Sequence, residues 1–174
     1  MNKNFYVTTP IYYVNGDPHV GSAYTTIAAD VMARYKRTMG YDAYFLTGTD
    51  EHGQKVEETA KQKGYTPQQW TDIMAPRFKE MWAKLGIEYS DFIRTTESRH
   101  KEAVKKILKK VYENGDIYKG EYSGKYCVSC ETFVPENQIV NGNHCPDCGK
   151  ELRVVKEESY FFKMSKYQDA LLEI

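Results

Sequence analysis

Two groups of residues in this 174-residue chain have the types and spacing that chemistry requires. The first is Cys127, Cys130, Cys145 and Cys148, two C-x2-C pairs separated by fourteen residues. Each pair forms a short turn whose thiolates can face one ion, and four thiolates at this spacing are a donor set for tetrahedral zinc. Gly142 and Gly149 give such turns the backbone freedom they need. Disulfides are the competing reading, but the N-terminus carries no secretion signal and thiols stay reduced in the compartment that implies. His144 adjoins Cys145, yet four thiolates already close a structural site and leave no position for another ligand or a reacting water. The expected ion is one structural Zn2+ per chain rather than a catalyst.

The second group is His19, Val20, Gly21 and Ser22, where an N-terminal strand and loop meet the first helix. Backbone N–H groups and the helix dipole favour a phosphate at such a junction. Gly21 would let a nucleotide approach the backbone, and His19 could donate to a phosphate oxygen. A solvated or capping histidine is the plainer reading of these four residues taken alone.

Both groups need elements to hold them. Phe5 to Thr8 reads as a short buried strand, followed by a loop marked by Pro10 and by Asn15, Gly16, Asp17 and Pro18. A helix follows from Ser22, with Ile27, Val31, Tyr35 and Met39 recurring every four residues and Gly40 at its C-terminal cap. Tyr41 to Thr47 reads as a second strand that ends in the turn Gly48 to Gly53, and a polar helix runs on to Gly64. Thr66, Pro67 and Gln69 make a capping box that opens a helix with the buried stripe Trp70, Ile73, Met74, Phe78, Met81 and Leu85. Ile87 to Thr95 is a third extended segment. A Lys-rich helix then places Val104, Ile107, Leu108 and Val111 inward, with Lys101, Lys105, Lys106, Lys109 and Lys110 as a solvated face rather than an RNA footprint.

Strands alternating with helices predict a right-handed parallel α/β unit, which binds ligands outside the carboxyl ends of its strands. After Gly115 the pattern changes to short, Gly- and Tyr-rich segments around the cysteines. The expected organisation is an α/β part over 1–115, a small β-rich zinc module over 116–163, and over 164–174 the start of a helix, marked by Tyr167, Ala170, Leu171 and Ile174, that returns to the α/β part. Stopping inside that helix is what a partial protein would do. Lys plus Arg (24) balance Asp plus Glu (24), which argues against a strongly basic nucleic-acid module. Apolar residues make up 41%, enough for a packed core, and no apolar run approaches a membrane span, so the chain reads as soluble and cytosolic.

The segment Thr9-Pro10-Ile11-Tyr12-Tyr13-Val14-Asn15-Gly16-Asp17-Pro18-His19-Val20-Gly21-Ser22, continuing to Thr26, resembles the start of bacterial methionyl-tRNA synthetases. Gly48-Thr49-Asp50-Glu51-His52-Gly53 resembles that family's next signature, and the cysteines lie where the family carries its zinc knuckle. The resemblance implies the first half of a Rossmann-like parallel nucleotide-binding fold with a zinc-bearing connective insertion. It implies that His19, Gly21 and Ser22 bind ATP, with His19 catalytic. The family form is His-x-Gly-His, so Ser22 departs from it; serine is shorter and carries no charge, which leaves His19 as the main phosphate contact. Ile11 and Tyr13 would lie beside the methionine thioether, with Asp50 at its ammonium group and His52 next to it. A helix N-cap is the alternative for Asp50.

Lys163-Met164-Ser165-Lys166-Tyr167 is similar to the second class I signature, Lys-Met-Ser-Lys-Ser, but the family's true copy lies much further along the chain. Here Ser165 reads as a helix cap. The implied reaction is activation of L-methionine by ATP with Mg2+, giving methionyl-adenylate and pyrophosphate, then transfer to tRNA(Met). The segment alone is expected to be inactive, and its oligomeric state is open. A nucleotidyltransferase with a similar His-containing loop and a non-catalytic zinc ribbon that grips RNA are the competing classes.

Overall fold

The computed structural model describes residues 3–173; Met1, Asn2 and Ile174, the last assigned above to the final helix, lie outside the described residues. The chain divides into two compact units, Met1–Lys101 and Glu102–Ile174.

The first unit contains β1 (Lys3–Thr8), β2 (Tyr12–Tyr13), α1 (Val20–Thr38), β3 (Tyr41–Asp50), α2 (Gln54–Gln62), α3 (Pro67–Lys84) and β4 (Asp91–Arg94). Every strand pair in it is parallel, as the alternation of strands and helices predicts. β3 is the central strand. β1 runs along one edge from Lys3↔Tyr41 to Thr8↔Leu46, and β2 continues along that edge with Tyr12↔Thr49 and Tyr13↔Asp50. β4 takes the opposite edge, from Leu46↔Asp91 to Thr49↔Arg94. Ladders on both edges explain why β3 outlasts its predicted end at Thr47: Gly48, Thr49 and Asp50 belong to the strand, not to a turn. Gly48 is required there, because a Cβ at that position would lie 2.0 Å from the Ile93 carbonyl oxygen.

Helix α1 packs against β1 and β3. Its buried residues are the small or polar Ser22, Ala23, Thr26, Ala29, Asp30 and Ala33. The predicted stripe of Ile27, Val31, Tyr35 and Met39 is real but exposed, about half a turn round from the buried face. Small residues let the helix sit close to the sheet, and that decides which face goes inward.

The capping box of α3 forms as expected: Thr66 Oγ1 accepts from Gln69 N–H at 3.2 Å, and Gln69 Oε1 accepts from Thr66 N–H at 3.0 Å. Its buried face is Thr71, Met74, Ala75, Phe78 and Trp82. Ile73 lies on the far side of the helix and Leu85 is its C-cap, so both stay out of the core. The core of this unit gathers Phe45, Val56, Met74, Phe78, Trp82 and Phe92.

Helix α4 (Ser98–Glu113) contains no buried residue, and Val104, Ile107 and Leu108 are exposed, contrary to the inward reading. Periodicity gives α4 an apolar face without specifying what covers it. Beyond it come β5 (Ile117–Cys127), β6 (Thr132–Val134), β7 (Arg153–Phe162) and α5 (Gln168–Leu172). The strands form an antiparallel sheet in the order β6-β5-β7, with β5 and β7 paired from Ile117↔Phe162 to Tyr126↔Arg153. Met164–Tyr167 is a 3-10 turn with no side-chain cap, so Ser165 does not cap a helix. Among the described residues no helix is long and apolar enough to cross a membrane.

Because the carbonyl that a Cβ at position 48 would strike belongs to a paired strand, Gly48→Ala should destabilise the first unit by about 3 kcal/mol. Urea denaturation followed by circular dichroism measures it, and a loss below about 0.5 kcal/mol would show that β4 can move aside.

Candidate functional site

The loop from β1 to α1 carries most of the residues singled out in the sequence, and three attachments shape it. Tyr12 Oη lies 2.8 Å from Thr26 Oγ1 and donates to the Ser22 carbonyl at 3.2 Å, while its ring stacks on Phe78 at 5.9 Å. Val14 is wholly buried, and its carbonyl accepts from Trp70 Nε1 at 2.7 Å. Asp17 pairs with Arg77 at 2.5 Å on the surface, where solvent screening leaves such a pair weak.

His19 ends this loop as the N-cap of α1, with extended backbone (φ −127°, ψ 178°). Its Nδ1 accepts from Gly21 N–H at 3.1 Å. In the neutral ring that bond puts the proton on Nε2, so Nε2–H is a free-standing donor at the positive end of a helix. The capping reading of His19 is thus realised through one nitrogen while the other stays available. Gly21 has a local reason as well: a Cβ there would lie 3.0 Å from His19 Cε1. No acidic side chain occupies the first turn of α1 to oppose an anion.

A cavity of about 580 Å³ brings together Ile11, Tyr13, His19, Gly21 and Ser22. Asn15, Asp17 and Phe78 also line it, and the sequence had not marked any of them as functional. Asp50 is the last residue of β3, in register with Tyr13 of β2. It accepts a long bond, 3.4 Å, from His52 N–H and has no cationic partner among the described residues. The N-cap of α2 is Gly53, so Asp50 does not cap that helix. His52 is not in the large cavity. It lines a smaller one of about 310 Å³ with Glu51 and Lys101, and its Nε2 lies 3.3 Å from the Thr95 carbonyl.

Between Asp50 and His52, the Glu51 side chain is fully buried. Its Oε1 accepts from Thr49 Oγ1 at 2.7 Å and from Arg94 Nε at 2.7 Å. Its Oε2 accepts from Arg94 Nη2 at 3.0 Å and Thr96 Oγ1 at 2.5 Å. Arg94 continues to Asp72 at 2.6 Å, and these carboxylates hold its pKa above the usual guanidinium value. Hydrogen bonding to Arg94 lowers the Asp72 pKa in turn. Sequence reasoning missed this network because Glu51 and Arg94 stand 43 residues apart.

In the second unit, Cys127, Cys130, Cys145 and Cys148 place their sulfurs within 4.8 Å of one another, and all four are free thiols. Sγ of Cys127 lies 3.5 Å from that of Cys148, and Cys145 3.8 Å from Cys130. Cys130 N–H donates to Cys127 Sγ at 3.4 Å, as a metal-binding knuckle requires. The residue after each pair has positive φ, 53° at Glu131 and 69° at Gly149. The cluster can hold a metal ion. His144 stands outside it, with Nδ1 3.2 Å from the Asn141 carbonyl.

The other end of the β5–β7 ladder closes on Asp116, which is buried. Lys166 forms an ion pair with Asp116, Tyr167 Oη donates to it at 2.5 Å, and Lys163 Nζ donates to the Gly115 carbonyl at 2.8 Å. Lys166 is therefore committed to a structural partner. The bonds from Lys166 and Tyr167 hold the Asp116 carboxyl below its usual pKa.

A parallel sheet with a helix N-terminus and a cavity at its carboxyl ends defines a nucleotide-binding α/β class. The family described as tRNA synthetases class I (M) matches residues 5–174, and the chain belongs to it. The methionine–tRNA ligase of Fusobacterium nucleatum is 73% identical over 173 residues, covering 99% of this chain and 27% of that protein. The chain thus spans about a quarter of the length of its curated relatives. The Mycobacterium tuberculosis methionyl-tRNA synthetase in complex with methionyl-adenylate superposes with a TM-score of 0.91 at 42% identity, over 98% of this chain and 34% of that one. A likeness of fold alone extends to the Agrobacterium radiobacter LeuRS in its ternary complex, with a TM-score of 0.78 at 24% identity, over 99% of this chain and 22% of that one.

Asp116 has its folded pKa lowered, so the stability it contributes is complete above its unfolded value and is lost as pH falls through the folded one. The second unit should lose melting temperature below about pH 4, and Asp116→Asn should flatten that loss. An unchanged acid limb in the variant would show that the pair stabilises nothing.

Proposed function

We propose that this chain is the amino-terminal catalytic part of a methionine–tRNA ligase, with residues 1–115 in the first half of the catalytic fold, 116–163 as its zinc-bearing insertion and 164–174 returning toward the catalytic part. The observation that carries the reading is the register Tyr13↔Asp50, which sets an aromatic ring beside a carboxylate that has no ion-pair partner among the described residues. Family membership and the likeness to a synthetase solved with methionyl-adenylate support it.

Ile11 and Tyr13 offer apolar surface to the thioether, and Asp50 offers its carboxylate to the α-ammonium. His52 adjoins that carboxylate through its backbone N–H. ATP lies along His19, Gly21 and Ser22. The methionine carboxylate attacks the α-phosphorus; a new O–P bond forms as the bond to the bridging oxygen breaks, and pyrophosphate leaves. His19 Nε2–H and the N-terminus of α1 stabilise charge gathering on the phosphates, and the rest of catalysis is positioning. Mg2+ supplies further neutralisation of the triphosphate. A hydroxyl of the terminal adenosine of tRNA(Met) then attacks the methionyl carbonyl; the ester forms as the acyl–phosphate bond breaks, and AMP leaves. No covalent enzyme intermediate is required.

The cysteine cluster fits one structural Zn2+. Thiolates about 2.3 Å from zinc form a tetrahedron with edges of about 3.8 Å, close to the sulfur spacings observed. Four reduced thiols agree with a cytoplasmic protein.

Methionine-dependent pyrophosphate exchange tests the function in a full-length ligase carrying this chain. His19→Ala should lower kcat/KM by about 100-fold, and the 174 residues alone should show no exchange. Exchange or ATP turnover independent of methionine would instead point to a nucleotidyltransferase. Metal analysis should find one zinc per chain, and Cys145→Ala should abolish it and open the second unit to protease. A variant that kept its zinc would show that the ion is bound elsewhere.

A further inference from the structure

The turn that leaves β3 has an unusual division of labour. Asp50 and His52 are the residues placed near methionine, yet the anchor of the turn is the residue between them. Glu51 has its side chain fully buried, and both of its oxygens are saturated by donors from β3, from β4 and from the segment after β4. Its backbone is tied too: Glu51 N–H donates to Thr95 Oγ1 at 2.9 Å, and Thr95 N–H donates to the Thr49 carbonyl at 3.3 Å. Through Arg94 the same carboxylate reaches Asp72 and Thr71 on α3.

We propose that Glu51, paired with Arg94, is a positioning residue for methionine: it fixes the turn so that the Asp50 carboxylate meets the substrate's α-ammonium. The proposal rests on the active-site reading given above. Burying an ion pair brings little net stability, since a well-packed hydrophobe of the same volume does as well. What the pair provides is direction. A planar guanidinium bonded through two nitrogens permits one orientation of the carboxylate, and the threonine hydroxyls fix it further. Asp50 lacks such support of its own. It has no cationic partner among the described residues and accepts one long bond from the His52 backbone N–H, so the chain on either side sets its aim. Thr49, in register with Tyr12 on one edge and Arg94 on the other, links the network to the loop that carries Tyr13.

Steady-state pyrophosphate exchange in a full-length ligase carrying this chain tests it, with methionine and ATP varied separately. Glu51→Gln keeps the shape and removes the charge. The expected result is a KM for methionine raised about ten-fold while the KM for ATP stays within about two-fold. Arg94→Lys, which keeps the charge but loses the fork, should give a smaller rise of the same kind. Asp30→Asn is the control for stability: it disrupts another buried carboxylate, bonded to Arg34 and to Glu88 N–H in the segment ahead of β4, and should lower the melting temperature without moving either KM. If Glu51→Gln does not fold, Thr96→Val removes a single donor and should still raise the methionine KM selectively. A rise in both KM values together, or a loss of active enzyme that merely follows melting temperature, would overturn the proposal. Asp50→Asn separates the two levels. If it leaves the methionine KM unchanged, the active-site reading itself fails; if it raises that KM while Glu51→Gln does not, only the positioning role fails.

Discussion

The close approach of β3 and β4 at Gly48 is the constraint on which the first unit turns. With no side chain there, the Ile93 carbonyl can come within what would be bonding distance of a Cβ. That approach brings Arg94 opposite Thr49, and Thr49 is also where β2 joins the other edge of the strand. One strand end thus collects an aromatic ring from one side and a guanidinium from the other. A bulkier residue at position 48 would separate the edges and, with them, the groups gathered there.

The loop above this strand end is held by forces of unequal strength. The Trp70 bond to the Val14 carbonyl lies at a buried site and contributes on the order of 1 kcal/mol, more if its loss strands the carbonyl. The Asp17–Arg77 pair, with both side chains largely exposed, contributes little by comparison. Shape therefore comes mainly from packing and from the bonds beneath the loop. His19 adds a local economy, because one ring nitrogen completes the helix while the other faces outward as a donor.

What could be read from the sequence was what is local. The C-x2-C pairs, the capping box at Thr66 and the alternation that builds a parallel sheet each depend on residues a few positions apart, and each appears in the structure. The side on which a helix packs was less legible. In α1 the recurring larger residues marked a helical face without saying which way it points, and Ala23, Ala29 and Ala33 permit the closer contact and take the sheet. The stripe of α4 gave a face without a partner. Least legible were charges joined across long stretches of chain, Glu51 with Arg94 and Asp116 with Lys166, because nothing in the spacing of either residue announces the other.

The paired β5 and β7 strands are tied at both ends, by Asp116 at one and by the cysteine cluster at the other. Mechanically this is a stiff arm of some ten residue pairs, about 33 Å long at the usual rise of a strand. Each tie keeps the pairing closed at its own end, so loss of the Asp116 ion pair would let the ladder open from that end while the cysteine end stayed shut.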